Sequence, residues 1–128
     1  MEENTRFYLC GVCGKVIGLI HDTEVPTVCC GEEMTRLKGN TSDGAVEKHV
    51  PVYEVDEINE EIIVKVGDVD HPMEEDHYIM WVALLTDNST TRIRLLPGEA
   101  PTVRMKYIEG STVYAYCNKH GLWKTDIE

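Results

Sequence analysis

From residue 61 apolar side chains recur at every second position. Ile62, Val64 and Val66 share one face of a run whose other face carries Glu61, Ile63 and Lys65. A period of two is that of a strand with one face buried. Short β-prone runs cover 50–55, 61–66, 78–85, 91–96, 102–108, 112–116 and 122–125. Asp87-Asn88-Ser89, Pro97-Gly98 and Glu109-Gly110 separate some of them with residues that favour turns. No segment keeps an apolar stripe at helical spacing over three turns, so an all-β unit is expected. Seven short strands in succession predict an immunoglobulin-like antiparallel β-sandwich over 45–128.

Upstream the pattern differs. Phe7-Tyr8-Leu9 leads into Cys10-Gly11-Val12-Cys13-Gly14, a short β-prone run follows over 15–20, and Thr27-Val28 reaches Cys29-Cys30-Gly31. Glycine after each cysteine pair suits a knuckle in which backbone N–H groups turn toward sulfur. A module of 1–37 is too small to bury a sufficient core, so a metal is its expected staple. The polar, turn-rich segment 38–44, Lys-Gly-Asn-Thr-Ser-Asp-Gly, reads as the linker between the two.

The chain of 128 residues carries a net charge of −11. That excess disfavours nucleic acid and anionic membranes as partners, and a small anionic substrate would need a local cationic patch. Residues 1–5 are polar and acidic, and the longest apolar run, 79–85, is far short of a bilayer span. A cytoplasmic location is therefore expected, where reduced thiols serve as ligands and disulfides are disfavoured. Five cysteines, an odd number, also fit metal binding better than a disulfide framework.

Cys10-x2-Cys13 can present both sulfurs to one metal through the intervening turn. Cys29 and Cys30 are adjacent and would point apart in an extended chain. They can join that metal only through a turn of their own, giving a distorted tetrahedron. The motif leaves zinc and iron both open, since closed four-cysteine sites are commonly zinc. His49, His71, His77 and Cys117-x2-His120 form a second set, each member at a strand end or in a loop. Any one of them alone would be an ordinary histidine or core thiol. Together they make a nitrogen-rich site with one sulfur, suited to iron, zinc or copper. Five protein ligands leave one octahedral position open, which points to chemistry, and a thiolate pushes electron density toward a bound ligand. Lys48, beside His49, is placed to supply a local cation. Tyr116, Trp123, Trp81 and Met80 are expected as core, and His21 alone among the cysteines and histidines has no role.

Cys10-x2-Cys13, Cys29-Cys30-Gly31-Glu32, Glu47-Lys48-His49-Val50-Pro51, His71, His77 and Cys117-Asn118-x-His120-Gly121 together resemble desulfoferrodoxin, the two-iron class of superoxide reductase. The likeness spans the chain and departs from the family pattern at no ligand position. It implies a desulforedoxin-like domain holding a rubredoxin-type iron on Cys10, Cys13, Cys29 and Cys30. It further implies a second iron with His49, His71, His77 and His120 in a plane and Cys117 axial. Glu47 would become the sixth ligand of the ferric state. Lys48, by its place beside His49 on so acidic a protein, is expected to guide superoxide, the alternative being a solvated surface lysine paired with Glu47. The implied reaction is one-electron reduction of superoxide to hydrogen peroxide, with re-reduction by a donor such as rubredoxin. A homodimer is also implied. The competing expectation is a non-catalytic electron carrier or metal-stapled interaction module; a zinc hydrolase would lack an evident general base.

Overall fold

The structure, a computed structural model, describes residues 7–40 and 46–128, with Glu47 described by its backbone alone. Two compact units divide at Lys38 and Gly39.

In the first unit β1 (Phe7–Leu9) lies between β2 (Val16–Gly18) and β5 (Thr35–Arg36), antiparallel to both. β3 (Val28–Cys29) and β4 (Glu32–Glu33) pair in a tight hairpin. Its turn is made by Cys30 and Gly31, at φ 54° and 75°. Only Phe7, Cys10 and Met34 are buried hydrophobics among the described residues of this unit. So small a core agrees with the expectation of a metal staple.

The second unit begins with one helical turn, α1 (Val46–His49), followed by seven strands. These are β6 (Pro51–Asp56), β7 (Glu61–Val66), β8 (Ile79–Leu85), β9 (Thr90–Arg94), β10 (Thr102–Lys106), β11 (Thr112–Cys117) and β12 (Gly121–Asp126). They form two antiparallel sheets, in the orders β10-β7-β6 and β12-β11-β8-β9. Ile62, Val64 and Val66, the alternating face of β7, share one core with Val82, Leu84, Val113 and Ala115 of the other sheet. The sandwich is thus the all-β antiparallel fold that the period-two pattern requires. All seven expected strands form, with ends displaced by no more than two residues.

Two local readings change. His49, expected at the start of a strand, closes the helical turn α1 instead. Four residues are too few to leave a periodic signature. Within the expected linker, residues 41–44 lie outside the described residues, but Asn40 is fixed to β12. Its N–H donates to the Leu122 carbonyl at 2.9 Å, and the Lys124 N–H donates to its Oδ1 at 2.9 Å. Trp81 and Tyr116 stack at 5.6 Å within the buried set, as expected of core aromatics.

Candidate metal centres

The thiolate cluster is assembled by the two turns of the first unit. Cys10 closes the β1 side, and the Cys13 N–H donates to its sulfur at 3.5 Å. The left-handed conformation of Cys30 turns its side chain to the side of Cys29, so the adjacent pair converges as the sequence demanded. Cys13 Sγ and Cys29 Sγ stand 3.8 Å apart, and Cys29 Sγ and Cys30 Sγ 3.9 Å. Sulfurs about 2.3 Å from a tetrahedral metal are about 3.8 Å from one another, so the set fits such an ion. No disulfide joins the described cysteines. Backbone N–H donation, chiefly from Cys13, lowers the Cys10 thiol to about 6. Neighbouring sulfurs push Cys30 up to about 12. Four thiolates cannot all ionise at such spacing without a cation among them.

The second set gathers at one end of the sandwich. His49 ends α1, His71 follows the turn after β7, His77 precedes β8, Cys117 ends β11, and His120 sits in the turn before β12. Their five donor atoms lie within 4.8 Å of one another. His71 Nε2 and His120 Nδ1 each stand 3.0 Å from His49 Nε2. Nitrogens about 2.1 Å from one metal and at right angles would be about 3.0 Å apart. The rings meet edge-on in a closed cycle, His49 with His71, His71 with His77, His77 with His120, and His120 with His49. Such a cycle of four is a square of imidazoles. His77 Nε2 is buried with no hydrogen-bond partner, a costly state that a metal would relieve.

Electrostatics keep this set ready for a cation. Burial, reinforced by the charges of the other histidines, lowers His71 to about 4, and burial also lowers His77. Both rings therefore stay neutral, with their lone pairs available, at physiological pH. Burial raises the Cys117 thiol, while the N–H groups of Lys119 and His120 pull the other way. A buried sulfur that is reluctant to ionise alone becomes a thiolate when a metal supplies the opposing charge.

Supporting residues place these donors. The Pro72 carbonyl lies 2.7 Å from His71 Nδ1, which leaves Nε2 facing the cluster. Trp123, expected only as core, stacks on His49 at 4.9 Å and donates its indole N–H to the His120 carbonyl at 3.1 Å. Sequence reasoning missed that role, because an apolar position on a strand does not reveal which ring it covers. It also missed Lys119, exposed between two donors, whose charge acts on both Cys117 and His77. Lys48 is exposed on α1, while the side chain of Glu47 lies outside the described residues. His21 is exposed in the first unit and belongs to neither donor set.

A small unit that closes four thiolates and a β-sandwich that gathers four imidazoles and a thiolate define a two-centre metalloprotein whose donor sets suit two irons. The Desulfoferrodoxin family profile matches residues 41–126, and the chain belongs to the desulfoferrodoxin family. A desulfoferrodoxin of Syntrophotalea carbinolica is 44% identical, covering 98% of this chain and 99% of that protein. The superoxide reductase of Treponema pallidum has a similar structure, with a TM-score of 0.74, 31% identity, and coverage of 97% of this chain and 100% of that one. A superoxide reductase of Nanoarchaeum equitans, at 31% identity and a TM-score of 0.52, covers 66% of this chain and 95% of its own length.

Proposed function

We propose that the chain is a superoxide reductase, acting at the centre formed by His49, His71, His77, His120 and Cys117. One superoxide, one electron and two protons give one hydrogen peroxide. The observation that carries this reading is the donor set itself, a square of imidazoles plus one sulfur, one ligand short of an octahedral shell. Bound ferrous iron supplies the electron and an open coordination position at this site. Cys10, Cys13, Cys29 and Cys30 hold a second, rubredoxin-like iron in a domain of 1–37, joined through 38–44 to a catalytic domain of 45–128.

The remaining work falls to the chain. His71 and His77, kept neutral by burial, present lone pairs and add no charge of their own. Cys117, with N–H groups of the following turn directed to its sulfur, would donate electron density to the metal and favour loss of peroxide. Exposed Lys48 offers positive charge to the incoming anion, and solvent supplies the protons. Glu47, two residues before His49 on α1, would supply a carboxylate as a further ligand to the oxidised centre. Electrons come from a rubredoxin-like donor. The protein works as a cytoplasmic homodimer in superoxide detoxification; among the described residues no helix is long and apolar enough to cross a membrane.

Iron analysis with anaerobic mixing against superoxide tests the reading. Two irons per chain and one hydrogen peroxide per superoxide, with no oxygen evolved, are expected. Oxygen released together with peroxide would show dismutation, and a colourless zinc-filled second centre would remove the activity altogether.

A further inference from the structure

β8 and β11 do not pair in one unbroken register. Trp81 stands opposite Tyr116, but Ile79 stands opposite Cys117, so Met80 is an extra residue in β8. This is a β-bulge beside the site, while on the other edge the Met80 carbonyl accepts the Leu95 N–H at 3.0 Å and continues the β8–β9 register. Continuing the Trp81–Tyr116 register would have set Asn118 opposite Ile79. The bulge moves it opposite Tyr78, next to His77.

Asn118 then makes three hydrogen bonds to the backbone around His77. Its N–H donates to the Tyr78 carbonyl at 3.2 Å. The Tyr78 N–H donates to Asn118 Oδ1 at 3.0 Å. Asn118 Nδ2 donates to the Asp76 carbonyl at 3.0 Å. A regular ladder would have used the Asn118 backbone carbonyl as the second partner. The chain turns away at 118–120 to bring His120 round, and the side-chain oxygen stands in for that carbonyl. The peptide groups on both sides of His77 are thus tied to the residue after Cys117.

We infer that Asn118 is a positioning residue that sets the placement of His77 against Cys117, the imidazole and the sulfur that enter the site from different loops. It touches neither substrate nor donor atom and acts through the backbone of both loops. Asparagine suits the task because one side chain supplies an acceptor to Tyr78 and a donor to Asp76. Aspartate retains only the acceptor, and alanine neither. The inference rests on the reading that the five donors hold iron.

Asn118→Ala and Asn118→Asp, compared with the parent as iron-loaded protein, test it through the metal and not the turnover. The readouts are the thiolate-to-ferric charge-transfer band and the rate of iron loss to a chelator, with the four-cysteine centre as internal reference. Asn118→Ala should shift the band and release iron from the second centre roughly tenfold faster or more, while the four-cysteine spectrum is unchanged. Asn118→Asp should fall between. A purely structural residue would lower thermal stability while leaving band and release rate at parental values, and that result overturns the inference. So does iron loss from both centres in parallel. If Asn118→Ala does not fold, a parental band and release rate in Asn118→Asp overturn it alone. Absence of iron from the second centre of the parent would instead defeat the functional reading on which it rests.

Discussion

Gly67 holds the backbone of α1 against the loop that leads to His71. Its φ is 84°, and a Cβ there would collide with the carbonyl oxygens of Lys48 and Val69. Neither obstacle is the free end of a flexible side chain, so a substitution must move the helical turn that carries Lys48 and His49. Gly67→Ala should destabilise the protein by about 2 kcal/mol or more, combining left-handed strain with displaced backbone. Iron should be lost selectively from the His-rich centre. Denaturant unfolding and an iron count per centre check this, and a variant with parental stability and full iron would show that the contact relaxes freely. At this scale the sequence displayed the donors but not their supports. Cysteine and histidine announce themselves by chemistry, and Cys10-x2-Cys13 and Cys117-x2-His120 by spacing. Gly67 carries no chemical signal of its own, and Trp123 reads as an ordinary core residue. Their significance arises only when residues distant in sequence are brought against them.

Among the elements, the β6–β7 hairpin shows how a polar turn secures a strand pair that frames the core. Asp56 Oδ1 accepts the N–H groups of Ile58 and Asn59, both at 3.1 Å. Its Oδ2 accepts the Asn59 amide at 2.9 Å and the Arg104 guanidinium of β10 at 3.2 Å. These donors, the Asn59 side chain first, hold the Asp56 carboxyl below the usual carboxylate range. A folded-state value below the unfolded one stabilises the fold above the unfolded value, near 3.9, and that contribution fades as pH falls through the folded value. Asp56→Ala should therefore show a lower urea midpoint at pH 7, with the gap closing toward pH 3, measured on metal-stripped samples of both proteins. A gap independent of pH would assign the effect to turn propensity alone. Strands of this sandwich were legible because Ile62, Val64 and Val66 alternate with outward residues and turn-forming residues separate the runs. The bulge at Met80 and the helical turn at Val46–His49 were not. One inserted residue or one turn breaks no period long enough to register, yet both lie where the site is built.

Over the whole molecule the dominant electrostatic fact is a net charge of −11, which repels superoxide from every direction on average. The His-rich end of the sandwich carries local cations against that average, exposed Lys48 and Lys119 next to the donors His49 and His120, with Asp76 and Glu74 acting on His77 in the opposite sense. Such local charge matters within a Debye length, about 8 Å at physiological salt, and little beyond it. Lys48→Ala should lower the bimolecular rate with superoxide by roughly threefold to tenfold at low ionic strength, with the difference shrinking as salt is added. Rapid-mixing rates across an ionic-strength series decide the matter. A deficit that does not change with salt would assign Lys48 to proton delivery and remove it from steering. The need for a cationic patch followed from composition alone, since an acidic protein cannot otherwise draw an anion to one face. Lys48 could be named from its place beside His49; Lys119 stands beside His120 in the same way, but its action on His77 emerges only when the fold sets the 118–120 turn against that ring. Local cations at one end of an acidic protein make encounter rate, more than affinity, the quantity in which these lysines should be read.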